Sequence, residues 1–268
     1  MSQNRTIHVL LRGGGDLATG VALRLHRVGI RVVITELAQP LAVRRTVSFA
    51  EAVYAGRHTV EGVTARLVKR DQFPASLEAD EIPVLIDPNV DILRAFYVPI
   101  VVDARLLKQP PSPLPIDVPL HIGLGPGFHA GENCHAAIET RRSHTLGRVY
   151  WTGATQPDSR EPEGDPRRVL RASGDGVLVS KTKIGEHVEK GQEIAVIDNQ
   201  WTVTSPFDGV LRGLIHDGLH VTKGMKIGDV DARNDESACR LVSDKALAIG
   251  GGVLEAILSR EDIRKKVY

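Results

Sequence analysis

The sequence predicts an α/β fold: a Rossmann-like domain built on a parallel sheet, then a small all-β domain and a C-terminal helix. Three observations carry this expectation. Apolar β-branched runs alternate with helical patterns through the first third of the chain. A glycine-rich stretch, Arg12-Gly13-Gly14-Gly15-Asp16-Leu17-Ala18-Thr19-Gly20, joins the first run to the first helix. From about residue 169 an internal repeat replaces the alternation.

The first strand is Ile7-His8-Val9-Leu10-Leu11. A strand, a glycine turn and a helix N-terminus in that order make an anion site, because backbone N–H groups converge where the helix dipole favours negative charge. Gly13-x-Gly15-x-x-Ala18 fits the dinucleotide fingerprint with its third glycine relaxed to alanine. Leu17, Val21 and Leu25, flanked by Ala18 and Ala22, form one apolar helix face, and Gly29 ends the helix. The second run, Val32-Val33-Ile34, leads to Glu36, where an acid accepts hydrogen bonds from ribose hydroxyls. The candidate cofactor-binding residues here are therefore Gly13, Gly14, Gly15, Asp16, Ala18, Thr19 and Glu36. Arg44 and Arg45 follow, either as a grip for a second phosphate or as the solvated face of a helix continuing through 51–54. Arg57 and His58 would rim the same cleft. Residues 84–87 and 100–103 read as buried parallel strands, with a short helical pattern over 92–97.

Five prolines make 109–119 an extended connector. After it comes a second glycine-rich turn, His121-Ile122-Gly123-Leu124-Gly125-Pro126-Gly127-Phe128, which adds Gly125 and Gly127 to the candidate cofactor-binding residues. Residues 121–151 hold His121, His129, His135 and His144 with Glu132, Glu139, Arg141, Arg142 and Cys134. Beside histidine and near arginines, Cys134 is expected to be a thiolate at neutral pH and is the candidate catalytic residue, suited to sulfur or selenium transfer or nucleophilic attack. The alternative is a small buried apolar residue. No C-x-x-C or H-E-x-x-H is present, so no metal ligands are assigned.

The expected organisation is a nucleotide- or cofactor-binding domain over 1–155, a linker or mobile loop over 156–168, a β domain over 169–231 and a helical segment over 232–268. Ile184-Gly185-Glu186-His187-Val188-Glu189-Lys190-Gly191-Gln192-Glu193-Ile194 is echoed by His216-Asp217-Gly218-Leu219-His220-Val221-Thr222-Lys223-Gly224-Met225-Lys226-Ile227, which suggests a small sandwich with two-fold pseudosymmetry. Ala246, Ile249, Val253, Leu254, Ile257 and Leu258 recur at helical spacing. Gly250-Gly251-Gly252 interrupts them at a cost of about 2–3 kcal/mol against alanine, and is read as a break between two short helices. A close backbone contact and an anion-binding turn are the alternatives.

A net charge of +1 and 4% aromatic residues give no footprint for nucleic acid. Two distant cysteines suit a reducing compartment. Residues 1–5 do not read as a signal peptide, and no apolar run approaches 18 residues, so a cytoplasmic protein without membrane partners is expected.

The repeat copies, with Val203-Thr204-Ser205-Pro206-Phe207-Asp208-Gly209-Val210, resemble the biotinyl/lipoyl-like barrel-sandwich hybrid. Carrier versions bear a lysine on the hairpin tip just before that run. Here the tip is Ile197-Asp198-Asn199-Gln200, so no covalent biotin or lipoate is expected and a docking role is implied.

Five further stretches resemble one family across essentially the whole chain. They are residues 13–20, 44–54 and 125–128, then Ile138-Glu139-Thr140-Arg141-Arg142-Ser143-His144-Thr145-Leu146-Gly147-Arg148 and Lys226-Ile227-Gly228-Asp229-Val230-Asp231. The family is the YqeB-like proteins of the selenium-dependent molybdenum hydroxylase system. Its nucleotide-binding half is similar in outline to the xanthine dehydrogenase accessory proteins. The resemblance implies an accessory role in maturing molybdenum hydroxylases, with the molybdenum cofactor or its molybdopterin dinucleotide form as ligand. A hydroxylase apoenzyme and other maturation proteins are the implied partners; self-association is left open. Two other functions compete: an NAD(P)-dependent oxidoreductase, which the glycine loop and Glu36 favour but no hydride-transfer constellation supports, and a non-catalytic scaffold.

Overall fold

Two compact units make up the chain in a computed structural model that describes residues 7–76, 80–159 and 164–268. The expected leaderless start, at 1–5, and the centre of the proline-rich gap, at 160–163, lie outside the described residues. The first unit comprises Met1–Pro40, Phe49–Asp158 and Val242–Tyr268; the second comprises Leu41–Ser48 and Ser159–Leu241.

The first unit is a mixed α/β structure around a nine-stranded sheet. In chain order its strands are β1 (Val9–Arg12), β2 (Val32–Glu36), β3 (Arg57–Val60), β4 (Val63–Leu67), β5 (Ile82–Ile86), β6 (Ile100–Asp103) and β7 (Leu120–Leu124). A short strand, β8 (His129–Ala130), pairs with Gly153–Ala154 outside the sheet. β9 (Ala136–Ile138) and β10 (Val149–Tyr150) complete the sheet. The spatial order is β10-β9-β7-β6-β1-β2-β5-β4-β3, with antiparallel pairs only at the two edges, β3–β4 and β9–β10. The parallel strands are the β-branched runs, buried on both faces as such strands must be. One face rests on Leu10, Val33, Leu85 and Val101 against Phe73, Ile92 and Val98. Each fully buried side chain of this size contributes about 1.5–3 kcal/mol.

Helix α1 (Asp16–Arg27) carries the expected apolar stripe, and ends in a Schellman turn: Gly29 N–H donates to His26 O and Ile30 N–H to Leu25 O. Helix α2 (Asp244–Ser259) is capped by Ser243, whose hydroxyl accepts from the Ala246 N–H. It is continuous through Gly250-Gly251-Gly252, which corrects the expected break. The reason is close packing. A Cβ at Gly250 would lie 2.8 Å from Gly20 O, and one at Gly252 would lie 2.1 Å from Gly147 O. Small residues let α2 sit against the backbone of α1 and of the 147 turn, an arrangement that outweighs glycine's poor helix propensity.

The second unit holds two four-stranded antiparallel sheets. One orders Val169–Arg171, Lys226–Asp231, Gly209–Leu214 and His187–Val188; the other orders Trp201–Thr204, Glu193–Ile197, Gly176–Ser180 and His220–Val221. The repeat copies build matching pieces. Gly185 N–H donates to Leu211 O in one sheet and Gly218 N–H to Leu178 O in the other, each just before a two-residue strand. The tip at Asp198 and Asn199 has φ of 48° and 54°, the left-handed pair of a tight hairpin turn. Arg212 bridges Asp229 at 2.9 Å and Asp231 at 2.7 Å, so the two buried carboxylates are paired.

Candidate functional site at the carboxyl ends of the central strands

The glycine loop leaves β1 at the point where the sheet order reverses: β2 lies on one side of β1 and β6 on the other. Crevices outside the strand ends at such a point are where open α/β sheets bind ligands. Gly13 has φ of +97°, which turns the chain sharply while its N–H donates to Thr35 O at 2.8 Å. At Gly14 a Cβ would lie 2.9 Å from the Ala50 nitrogen, whose N–H donates to Gly14 O at 2.8 Å. Gly15 is the α1 cap residue, and it offers no side-chain acceptor. A Cβ there would meet nothing within 4 Å, so a side chain at this position finds room. The helical ladder begins with Thr19 N–H to Gly15 O, and the preceding N–H groups belong to the first turn.

Glu36, the last residue of β2, reaches back to this loop. Its Oε1 accepts from Gly14 N–H at 2.7 Å, and its Oε2 accepts from Leu37 N–H at 2.7 Å. Burial pushes its carboxyl above the ordinary glutamate range, against the opposing pull of those two backbone bonds. Asp16 lies in the first turn of α1, at the positive end of the dipole. Ala18 and Thr19 are buried. Thr19 Oγ1 accepts from Phe49 N–H at 2.9 Å and donates to Gly15 O at 3.0 Å, so it braces the loop.

Sequence reasoning missed a second group on the other side of the loop. Asp103 ends β6, fully buried, and its carboxylate is held by Arg105 through Nε at 2.8 Å and Nη2 at 2.6 Å. Arg12, the last residue of β1, sits with Nη1 3.7 Å from Asp103 and donates from Nη2 to Pro88 O at 3.1 Å. Burial, and then the neighbouring Arg105, lower its pKa from the ordinary arginine value, while Asp103 and Asp87 oppose. Two guanidiniums thus share one carboxylate beside Gly13. The available signal was a second apolar strand ending in an acid, 100–103, the same pattern that marked Glu36.

The remaining expected residues lie elsewhere. Arg44 and Arg45 belong to the second unit, and Arg45 begins a short 3-10 turn rather than a helix face. Arg44 Nη2 donates to Ala238 O at 2.7 Å and Arg45 Nε to Leu214 O at 3.0 Å, so both guanidiniums serve their own unit. Gly125 and Gly127 face protein backbone: a Cβ at Gly127 would lie 2.3 Å from Gln109 O, and Gly127 N–H donates to Leu107 O at 2.7 Å. That turn is filled by the 106–109 segment. Cys134 lines a separate cavity of about 460 Å³ with His121 and His135. Burial pushes its thiol up to about 11, which corrects the expected thiolate: no cation offsets the loss of water. His121 beside it is neutral, lowered to about 4 by burial and stacked edge-on to Phe128.

No family model matches the chain. It is 45% identical over 255 residues to the "Uncharacterized protein YqeB" of Escherichia coli (strain K12), a match covering 93% of this chain and 47% of that protein. The chain therefore spans about half the length of the curated relative it matches. Among solved structures, the product-bound ectoine utilization protein EutE (DoeB) from Ruegeria pomeroyi is 20% identical over 30% of this chain and 27% of its own, with a TM-score of 0.23. An aspartoacylase family protein from Mesorhizobium loti is 10% identical over 84% of each chain, with a TM-score of 0.26. At these TM-scores neither likeness carries an argument about fold or function. The Escherichia coli protein is a homologue over nearly the whole of this chain, and that supports a YqeB-like family.

Proposed function

We propose that the first unit is a Rossmann-like cofactor-binding domain whose ligand carries phosphate, and that the chain serves as an accessory protein in maturing selenium-dependent molybdenum hydroxylases. The observation that carries the ligand class is the glycine turn into the first turn of α1, where a Cβ at Gly15 would meet nothing within 4 Å, with Arg12 and Arg105 gathered on Asp103 beside Gly13. N–H groups and guanidiniums are the donors that phosphate oxygens take. The fit favours the phosphate-bearing end of the molybdenum cofactor or its dinucleotide. Glu36 is placed to accept from a ribose once its bond to Gly14 N–H is exchanged. Cys134, a neutral thiol in its own cavity, is given no part in holding the metal. The pathway rests on the resemblance to the YqeB-like family. The second unit, similar to a lysine-less biotinyl/lipoyl-like domain, takes the docking role toward a hydroxylase apoenzyme.

Gly15→Asp is a clean test of the site. Aspartate is a preferred N-cap, so the variant folds, but its carboxylate occupies the anion's place. In calorimetric titrations with molybdopterin dinucleotide, wild type is expected to bind and the variant to bind at least about tenfold more weakly, a loss of about 1.4 kcal/mol. Unchanged binding in the variant contradicts the reading. Tighter binding of NADH than of the dinucleotide would favour an oxidoreductase.

A further inference from the structure

We propose that the cavity between the proline-rich connector and the 131–135 turn is a second binding site, and that it takes an uncharged molecule joining an apolar body to an amide or ring N–H group. The inference does not depend on the phosphate reading. The cavity measures about 460 Å³, within the size range of small-molecule pockets. Its lining divides by chemistry. The connector contributes Pro111, Pro113, Leu114 and Val118, which are apolar, while His121, Cys134 and His135 supply polar groups.

His121 is the residue that points to a ligand. It is 8% exposed, and its Nε2 has no hydrogen-bond partner. Buried polar atoms are normally paired, and an unpaired one is costly. The frame around it is fixed. The ring packs edge-on against Phe128, with centroids 6.0 Å apart. A reciprocal pair ties its strand to the turn: His121 N–H donates to His135 Nδ1 at 2.9 Å, and His135 N–H to His121 O at 2.8 Å. Asn133 holds the same turn, accepting from His129 N–H at 2.9 Å and donating to Gly127 O at 3.1 Å.

The charges select the ligand class. Burial lowers the His121 imidazole to about 4 and raises the Cys134 thiol to about 11, so both are neutral at pH 7. A charged group brought against them would be buried without a counter-ion. Among the described residues the lining holds Asp117 and Glu132 but no lysine or arginine, so an anion meets repulsion. Arg12 and Arg105 lie close enough to lower the His121 pKa and disfavour a further cation there, with Asp103 opposing them. Among the described residues no group of three His, Cys, Asp or Glu side chains could hold a metal ion, which leaves an organic ligand. A neutral imidazole nitrogen accepts from an N–H or donates to a carbonyl according to its tautomer, and an amide offers both.

Benzamide, benzoate and benzamidine share a shape and differ in charge, so calorimetric titration of the full chain with each reads the selection. Wild type is expected to bind benzamide at least about tenfold tighter than either charged analogue. At about ten times its Kd, benzamide is expected to slow iodoacetamide labelling of Cys134 about tenfold, because only the free protein reacts. His121→Phe removes the unpaired nitrogen. Ile116→Glu adds a charge to the lining at a position that is 36% exposed. Each variant is expected to bind benzamide at least about tenfold more weakly. If His121→Phe does not fold, Ile116→Glu and the labelling decide. The site is overturned if benzamide binds no tighter than a charged analogue, if it leaves Cys134 labelling unchanged, or if its affinity is unchanged in Ile116→Glu or in a folded His121→Phe.

Discussion

Burial raises the pKa of both Glu36 and Cys134, and for Cys134 it reverses the expected thiolate. For Glu36 the folded protein holds the proton more tightly than the unfolded chain does. Its contribution to stability is therefore full below the ordinary value of 4.5 and is lost as pH rises through the raised folded value. Glu36→Gln removes the charge and keeps an acceptor for Gly14 N–H. Its melting temperature is expected to exceed that of wild type near about pH 7, with the gap closing on acidification; a gap independent of pH contradicts this. For Cys134, a thiol near 11 leaves little thiolate at neutral pH. Iodoacetamide labelling is expected to be roughly a hundredfold slower than for a free cysteine, since each unit of pKa is a tenfold change in thiolate. Fast labelling by mass spectrometry would restore the nucleophile. Charge neighbours were legible in the sequence here; burial, which decided the sign, was not.

At the scale of elements, the strand–turn–helix at β1 and α1 was legible because its signals are local: a β-branched run, glycines and a periodic apolar face. Two of the three glycines of α2, Gly250 and Gly252, misled because their reason is a contact with residues more than a hundred positions away in sequence. That account gives opposite signs at adjacent positions. A Cβ at Gly251 would meet nothing within 4 Å, so Gly251→Ala is expected to stabilise by about 0.5–1 kcal/mol through helix propensity. Gly252→Ala drives a methyl onto Gly147 O and is expected to destabilise by about 1–3 kcal/mol. Urea denaturation of the two variants checks this, and a shift of the same sign for both contradicts it.

For the whole molecule, the sequence pattern conveyed a parallel-dominated sheet, an antiparallel β region with a repeat and a closing helix. It did not convey that residues 41–48 leave the first unit for the second, or that 242–268 return to the first. Those memberships come from long-range pairings such as Thr46 Oγ1–H to Cys239 O at 2.6 Å and Val242 N–H to Glu61 Oε1 at 2.9 Å, which no local pattern encodes. Arg44 and Arg45 belong to the second unit, while Arg12, Asp103 and Arg105 stand together beside Gly13 in the first. The central claim is that the glycine turn before α1 holds the phosphate of a cofactor. Native mass spectrometry after incubation with molybdopterin dinucleotide tests it most directly, comparing wild type with Gly15→Asp. The expected result is a one-to-one adduct on wild type that is absent from the variant. An adduct of equal abundance on both proteins, or none on wild type, would contradict the claim.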